Sequence, residues 1–222
     1  MVARYFSREK PRSKILIVDS KDEFSEQALF EYAWFRFYPG MIEWLPAVLT
    51  GGPQAVDVDD MTILTDFEAF AGDVVNLIPP QRAGRIARDA GLADASGWCP
   101  VDPSTLESTL LPGEFLVGDS ISASPMPKSA FAASSQARIC AASVRARLIG
   151  AQPPRPDYEC ACWSWIADDQ AISVGAHYVV AGGAIERTDP FISDIDEDDA
   201  ARAASARAAD AWYRAITSEM FG

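Results

Sequence analysis

Apolar residues fall along this chain in short blocks, and the spacing within each block predicts an element. Residues 14–18 (KILIV) form an apolar run of strand length closed by Asp19, and the amphipathic stretch 25–37 predicts a helix after it. Residues 2–10 read as the tail of a helix in front of that strand. A further strand is predicted at 73–78 (DVVNLI), stopped by Pro79-Pro80, which breaks the chain and marks a crossover. Beyond the break, 82–90 predicts a short helix and 97–102 a loop. A brief strand at 115–117 then ends in Gly118-Asp119. Residues 129–148 predict a long helix of small residues with Gly150 as its stop, and Pro153-Pro154 makes a linker. Alternation at 172–180 and 184–187 predicts two strands. A last helix at 199–219 carries Trp212, Ile216 and Met220 on one face. Strands interleaved with helices give an α/β chain in three segments, 1–76, 77–152 and 156–222, without an internal repeat.

Composition narrows the function. The 222 residues are 49% hydrophobic, enough to form a core, yet no apolar stretch approaches the roughly 18 residues of a membrane helix. A net charge of −13 repels phosphate backbones, so nucleic acid is not an expected partner. The acids at 194–199 read as a solvated cap on the last helix, with a patch for docking a partner as the alternative. Four cysteines and a single histidine, His177, give no metal-ligand spacing, so no metal site is expected. His177 sits in an alternating run and reads as a structural or surface residue. No nucleophile elbow is present, and hydrolase readings fall away.

The stretch 115–137, FLVGDSISASPMPKSAFAASSQA, carries the most chemistry. Asp119 at a strand end offers a carboxylate to the hydroxyls of a flavin side chain. The free N–H groups of the helix opening at Lys128-Ser129 suit the electron-rich edge of a flavin ring. A Gly-x-Gly-x-x-Gly turn to cradle a dinucleotide pyrophosphate is absent; Gly51-Gly52 and Gly182-Gly183 are turn signals only. Helix tail, strand and Asp19 read as the back of a βαβ unit whose front lies upstream of Met1, or equally as an ordinary strand followed by a polar loop.

Several segments together resemble the flavoprotein subunit of flavocytochrome c sulfide dehydrogenase, a relative of sulfide:quinone oxidoreductases. They are NLIPPQRAGRIA (76–87), SGWCPVD (96–102), VGDS (117–120), PMPKSAF (125–131), SSQA (134–137), Cys162-Trp163-Ser164, AISVGAHY (171–178) and the final Phe221-Gly222. The resemblance runs along nearly the whole chain in order. It implies a partial glutathione-reductase-like flavoprotein with two dinucleotide-binding domains. Residues 1–76 would be the rear of a vestigial pyridine-nucleotide-like domain, and 77–152 the return segment of the FAD domain. Residues 156–222 would be a C-terminal α+β flavin-binding and interface domain, with the N-terminal FAD-binding half missing.

The resemblance also implies roles. Cys99 matches the second cysteine of a redox-active disulfide, whose first member belongs to a Cys-Pro-Pro segment upstream of Met1. By composition alone, Cys99 reads as a buried inert thiol. Gly118, Asp119, Pro127, Lys128 and Ser129 would bind FAD, and Trp163 would pack near the flavin or in an ordinary core. Hydrosulfide would attack the disulfide and be oxidised to sulfur or polysulfide, with electrons passing through FAD to a c-type cytochrome subunit. The missing half would come as a separate chain or as upstream sequence, and the 222 residues alone are expected to be inactive. The alternative is a non-catalytic module that binds a cytochrome, or an inactive fragment. A periplasmic location is implied; the first dozen residues hold no apolar signal core, so a chain naturally starting at Met1 would be cytoplasmic.

The remaining cysteines read differently. Cys140 is expected in the core. Cys162 falls where the resemblance also has cysteine, whereas Cys160 is particular to this chain. A bridge between these two is expected to be strained, since side chains two apart on a strand lie about 7 Å apart.

Overall fold

The computed structural model describes all 222 residues. In chain order the first elements are α1 (Val2–Glu9), β1 (Ile15–Val18), α2 (Gln27–Phe37), β2 (Ile42–Leu45), α3 (Ala47–Thr50), β3 (Pro53–Asp57), β4 (Thr62–Thr65) and β5 (Ala69–Ala71). There follow α4 (Arg85–Asp89), α5 (Ala130–Leu148), β6 (Asp157–Ala167), β7 (Gln170–Ala181), β8 (Ala184–Ile192) and α6 (Asp199–Phe221). This mixed α/β chain forms two compact units. Met1–Pro79, Ser164–Ile172 and Ser193–Gly222 make the first, Pro80–Trp163 and Ser173–Ile192 the second. The stretch 156–222 therefore contributes to both.

In the first unit, β1 and β2 pair in parallel, with Ile15 opposite Ile42 and Val18 opposite Leu45. Parallel strands need a crossover, and α2 supplies it. Leu29 and Ala33, one turn apart on α2, are buried together with Ile166 and Ile172. Phe24 gathers Phe30, Trp34 and Trp44 around it at ring separations of 5.1–6.2 Å, the range of favourable aromatic pairs. Strands β3, β4 and β5 form an antiparallel meander. Its first turn is held by the Asp57 carboxylate, which accepts from the amides of Asp59 and Asp60. Asp198 caps α6 by accepting from the Ala201 amide at 2.8 Å. Behind that cap, buried Arg202 donates to the Asp194 carbonyl at 2.6 Å and pairs with Glu197 at 3.4 Å.

The second unit holds the larger core. Cys99, Leu106, Ile121 and Tyr158 are its most enclosed side chains, and Ala132 from α5 and Ala176 and Tyr178 from β7 join them. Alternate residues Tyr158 and Cys160 of β6 both face inward, as the two-residue period of a strand requires. The Tyr158 hydroxyl donates to the Pro103 carbonyl at 2.8 Å and ties β6 to the loop after Cys99. Strands β6, β7 and β8 lie in that order, with β7 and β8 antiparallel. The turn between β7 and β8 is Gly182-Gly183, both at positive φ (57° and 81°), the backbone that a two-residue hairpin turn of primed type demands. Gly175 answers a different need: a Cβ there would stand 2.3 Å from the Cys160 carbonyl and 2.5 Å from the Phe191 ring.

Two expected strands are not strands. Residues 73–78 make no ladder; Val74, Leu77 and Ile78 are exposed. At 115–117, Phe115 makes a single bridge to Glu107, and Gly118–Ser120 turn as a short 3-10 segment. The Leu116 amide bonds the Leu106 carbonyl, so the partner of this run is a loop, and the four residues between Gly113 and Gly118 are too few for a ladder.

Candidate functional site

Within the second unit, the 118–120 turn, the loop leading to Lys128 and the first turns of α5 enclose a cavity of about 250 Å³. Its shape follows from a few local choices. Ser129 caps α5, its hydroxyl oxygen accepting from the Ala132 amide at 3.2 Å. Gln136, buried two turns along the same helix face, accepts from the Gly118 amide at 2.7 Å and pins the turn to the helix. Lys128 closes the rim: its ammonium donates to the Asp119 carbonyl at 2.6 Å and the Ile121 carbonyl at 2.8 Å. The same ammonium stands 3.7 Å from the centre of the Trp98 indole, a close cation–π contact. Partial burial draws Lys128 below its usual range, while Asp119 and Cys99 pull it back up.

Gly118, Asp119, Pro127, Lys128 and Ser129 all line this one cavity. Trp163 does not; its ring lies 6.1 Å from that of Phe131. Cys99 also lies outside the lining, although its neighbour Trp98 is part of it. The Cys99 backbone is paired on both sides to the cavity wall, its amide to the Ser120 carbonyl and its carbonyl to the Ser122 amide, each at 2.9 Å. Its side chain is fully buried. Burial pushes the Cys99 thiol up, the charge of Asp94 adds to this, and Lys128 opposes it.

Trp98 and Gln136 are among the lining residues that sequence reasoning passed over. Both stood inside segments already singled out, and Gln136 is seven residues from Ser129, a spacing that returns to the same helix face. Elsewhere, Asp19 accepts from the Lys21 amide and from the Trp44 indole nitrogen. His177 is exposed on β7. Cys140 is partly buried against the core of the second unit. No group of three or more histidine, cysteine or acidic side chains is placed to hold a metal ion.

No disulfide joins any of the four cysteines. The sulfurs of Cys160 and Cys162 lie 3.8 Å apart, much closer than the roughly 7 Å expected from their spacing on a strand, because the two side chains lean toward each other from one face. Cys160 also lies 3.3 Å from the Ser129 hydroxyl. Its thiol is pushed far up, first by the Cys162 sulfur and then by burial, while Ser129 and the Ala132 amide act in the other direction.

The cavity is slightly below the roughly 300–1,000 Å³ of ordinary ligand pockets, so it suits one portion of a dinucleotide rather than the whole. An aromatic wall, a fixed ammonium, a carboxylate and a capped helix N-terminus are the groups that a flavin ring and its polyol chain would use.

Residues 1–79 match the family described as the central part of the sulfide dehydrogenase [flavocytochrome c] flavoprotein chain. Residues 154–221 match the flavocytochrome c sulphide dehydrogenase flavin-binding family. Among solved structures, a chain from the Tetrahymena thermophila mitochondrial ATP synthase F1Fo composite tetramer is similar, with a TM-score of 0.56 and 21% identity. That match takes in 82% of the present chain and 46% of the other, so the present chain spans less than half of its length, and the likeness is one of fold.

Proposed function

Because the chain belongs to the flavoprotein family of flavocytochrome c sulfide dehydrogenase and carries its flavin-binding domain, we propose that it works as part of an FAD-dependent sulfide dehydrogenase. The substrate is sulfide, the product sulfur or polysulfide, and the electron acceptor a c-type cytochrome. The observation that carries this reading is the gathering of Gly118, Asp119, Lys128 and Ser129 on one cavity whose wall is hydrogen-bonded to the backbone of Cys99.

When bound, FAD supplies an acceptor that takes electrons in pairs and releases them singly. The chain's own part is to hold and to polarise. Asp119 offers its carboxylate to the polyol hydroxyls. Lys128, fixed by two carbonyls and an indole, sets a positive charge at the rim without having to reorganise. The Ser129-capped start of α5 adds partial positive charge beside it. Cys99, closed off from water, is the inner sulfur of the redox pair, reached through its partner sulfur rather than from solvent.

The reading extends to a glutathione-reductase-like whole in which the pyrophosphate cradle and the partner cysteine of Cys99 lie on polypeptide outside these residues. A periplasmic location goes with it. The test is the visible flavin band of the chain after incubation with FAD and desalting, followed through anaerobic addition of sulfide and then of a c-type cytochrome. Bleaching by sulfide and recovery with the cytochrome are expected. A flavin-loaded protein indifferent to sulfide overturns the substrate. A colourless protein calls for the same titration on the chain joined to a segment bearing a Gly-x-Gly-x-x-Gly turn, and failure there overturns the flavin reading.

A further inference from the structure

We propose that Cys160 and Cys162 form a redox-active dithiol, separate from Cys99, that exchanges with low-molecular-weight disulfides and closes to an intrachain disulfide. The proposal stands on geometry independent of the flavin reading. The two sulfurs are 3.8 Å apart, and the Ser129 hydroxyl at the start of α5 lies 3.3 Å from the Cys160 sulfur. A bridge between strand residues two apart spans about 6.7 Å between Cα atoms, at the upper edge of the roughly 4.4–6.8 Å that disulfides tolerate. The bridge is therefore reachable and remains easily reduced.

The two sulfurs differ in access. Cys160 is buried and Cys162 is half-buried, so an incoming disulfide meets Cys162 first. The Cys162 thiolate attacks one sulfur of R–S–S–R, forms a Cys162–S–S–R bond and expels one RS⁻. Cys160 then attacks the Cys162 sulfur, forming the Cys160–Cys162 bond and expelling the second RS⁻. The two protons of the dithiol end on the two departing thiolates, the protein loses two electrons, and the small disulfide gains them.

Helix α5 assists the second step. The Ser129 oxygen already accepts from the Ala132 amide, so its hydrogen is available to the Cys160 sulfur. A hydroxyl so placed donates to the charge that develops on Cys160 as it attacks the Cys162 sulfur.

The experiment treats the folded, reduced chain with 2-hydroxyethyl disulfide, quenches with acid, counts thiols and maps the peptides. Two of the four thiols are expected to disappear together into one peptide linking Cys160 to Cys162. Cys160→Ser is expected to stop at a mixed disulfide on Cys162, and Ser129→Ala to slow closure by roughly tenfold through loss of a hydrogen bond to a developing charge. Four thiols still titratable in the folded chain, or a bridge that instead uses Cys99 or Cys140, overturns the proposal. If either variant does not fold, the peptide map of the parent chain alone decides.

Discussion

The ammonium of Lys128 stands 3.7 Å from the centre of the Trp98 indole while donating to two backbone carbonyls, so one side chain holds the aromatic wall and the turn of the cavity together. Removing it as Lys128→Met is expected to cost about 1–3 kcal/mol, from one cation–π contact and two charge-assisted hydrogen bonds. In a double-mutant cycle with Trp98→Leu, read by denaturant unfolding, a coupling of about 0.5–1 kcal/mol is expected. Strictly additive losses would show that the indole and ammonium touch without interacting. The same Lys128→Met chain should bind FAD more weakly, by roughly tenfold if one charge-assisted contact is lost.

Gly175→Ala places a methyl 2.3 Å from the Cys160 carbonyl and 2.5 Å from the Phe191 ring, and the nearer obstacle is backbone in the neighbouring strand. Overpacking of this kind costs about 1–3 kcal/mol. For a chain of this size each kcal/mol lowers the melting temperature by roughly 2–4 °C. A melting curve unchanged from the parent would mean that β6 and β8 separate more freely than their packing indicates.

Acid should weaken the loop that Glu107 organises. Its carboxylate accepts from the Gly113 amide at 2.6 Å and pairs with Arg147, and these hold it below the ordinary carboxylate value of 4.5. A carboxyl with a lower value in the folded state stabilises folding above its unfolded value, and that contribution is lost as pH falls through the folded value. Thermal melts taken from about pH 6 down to about pH 3 should fall more steeply for the parent than for Glu107→Gln. Parallel curves would remove Glu107 from the acid response.

Arg202 is 2% exposed and bridges the Asp194 carbonyl and Glu197 beneath the α6 cap. Arg202→Met takes the cation from Glu197 and the donor from that carbonyl, and is expected to cost about 3 kcal/mol. Glu197→Gln keeps the carbonyl contact and should cost about 1 kcal/mol. Equal losses on chemical denaturation would contradict this ranking.

Legibility in the sequence followed the range of the interactions involved. Helix α5 was readable because period, cap and stop lie within the element itself: Ser129 and Gly150 bracket it from inside the chain. The β7–β8 hairpin was readable for the same reason, through Gly182-Gly183. The meander β3–β5 was not, since its strands are three to five residues long and its first turn is acidic rather than glycine-rich. Residues 73–78 mislead in the opposite direction: they are apolar enough for a strand, and only tertiary structure decides that no edge receives them. At the site, motif residues led to the cavity, but the contacts that shape it run from Gly118 to Gln136 and from Lys128 to Trp98. Those pairs are joined by folding rather than by spacing. The approach of Cys160 to Cys162 depends on side-chain rotamers, which no sequence pattern encodes.

The interleaved make-up of the two units has a consequence for synthesis. A ribosome that has delivered everything up to Ile192 has released every residue of the second unit, while the first still lacks Ser193–Gly222 and with it the whole of α6. Of the two units, the one holding residue 1 is thus completed later, and α1 to β5 are made well before Arg202 arrives to join them. Nonsense or frameshift changes in the codons for 193–222 would strike the first unit rather than the cavity, and neither unit can be cut out of the gene as one uninterrupted piece.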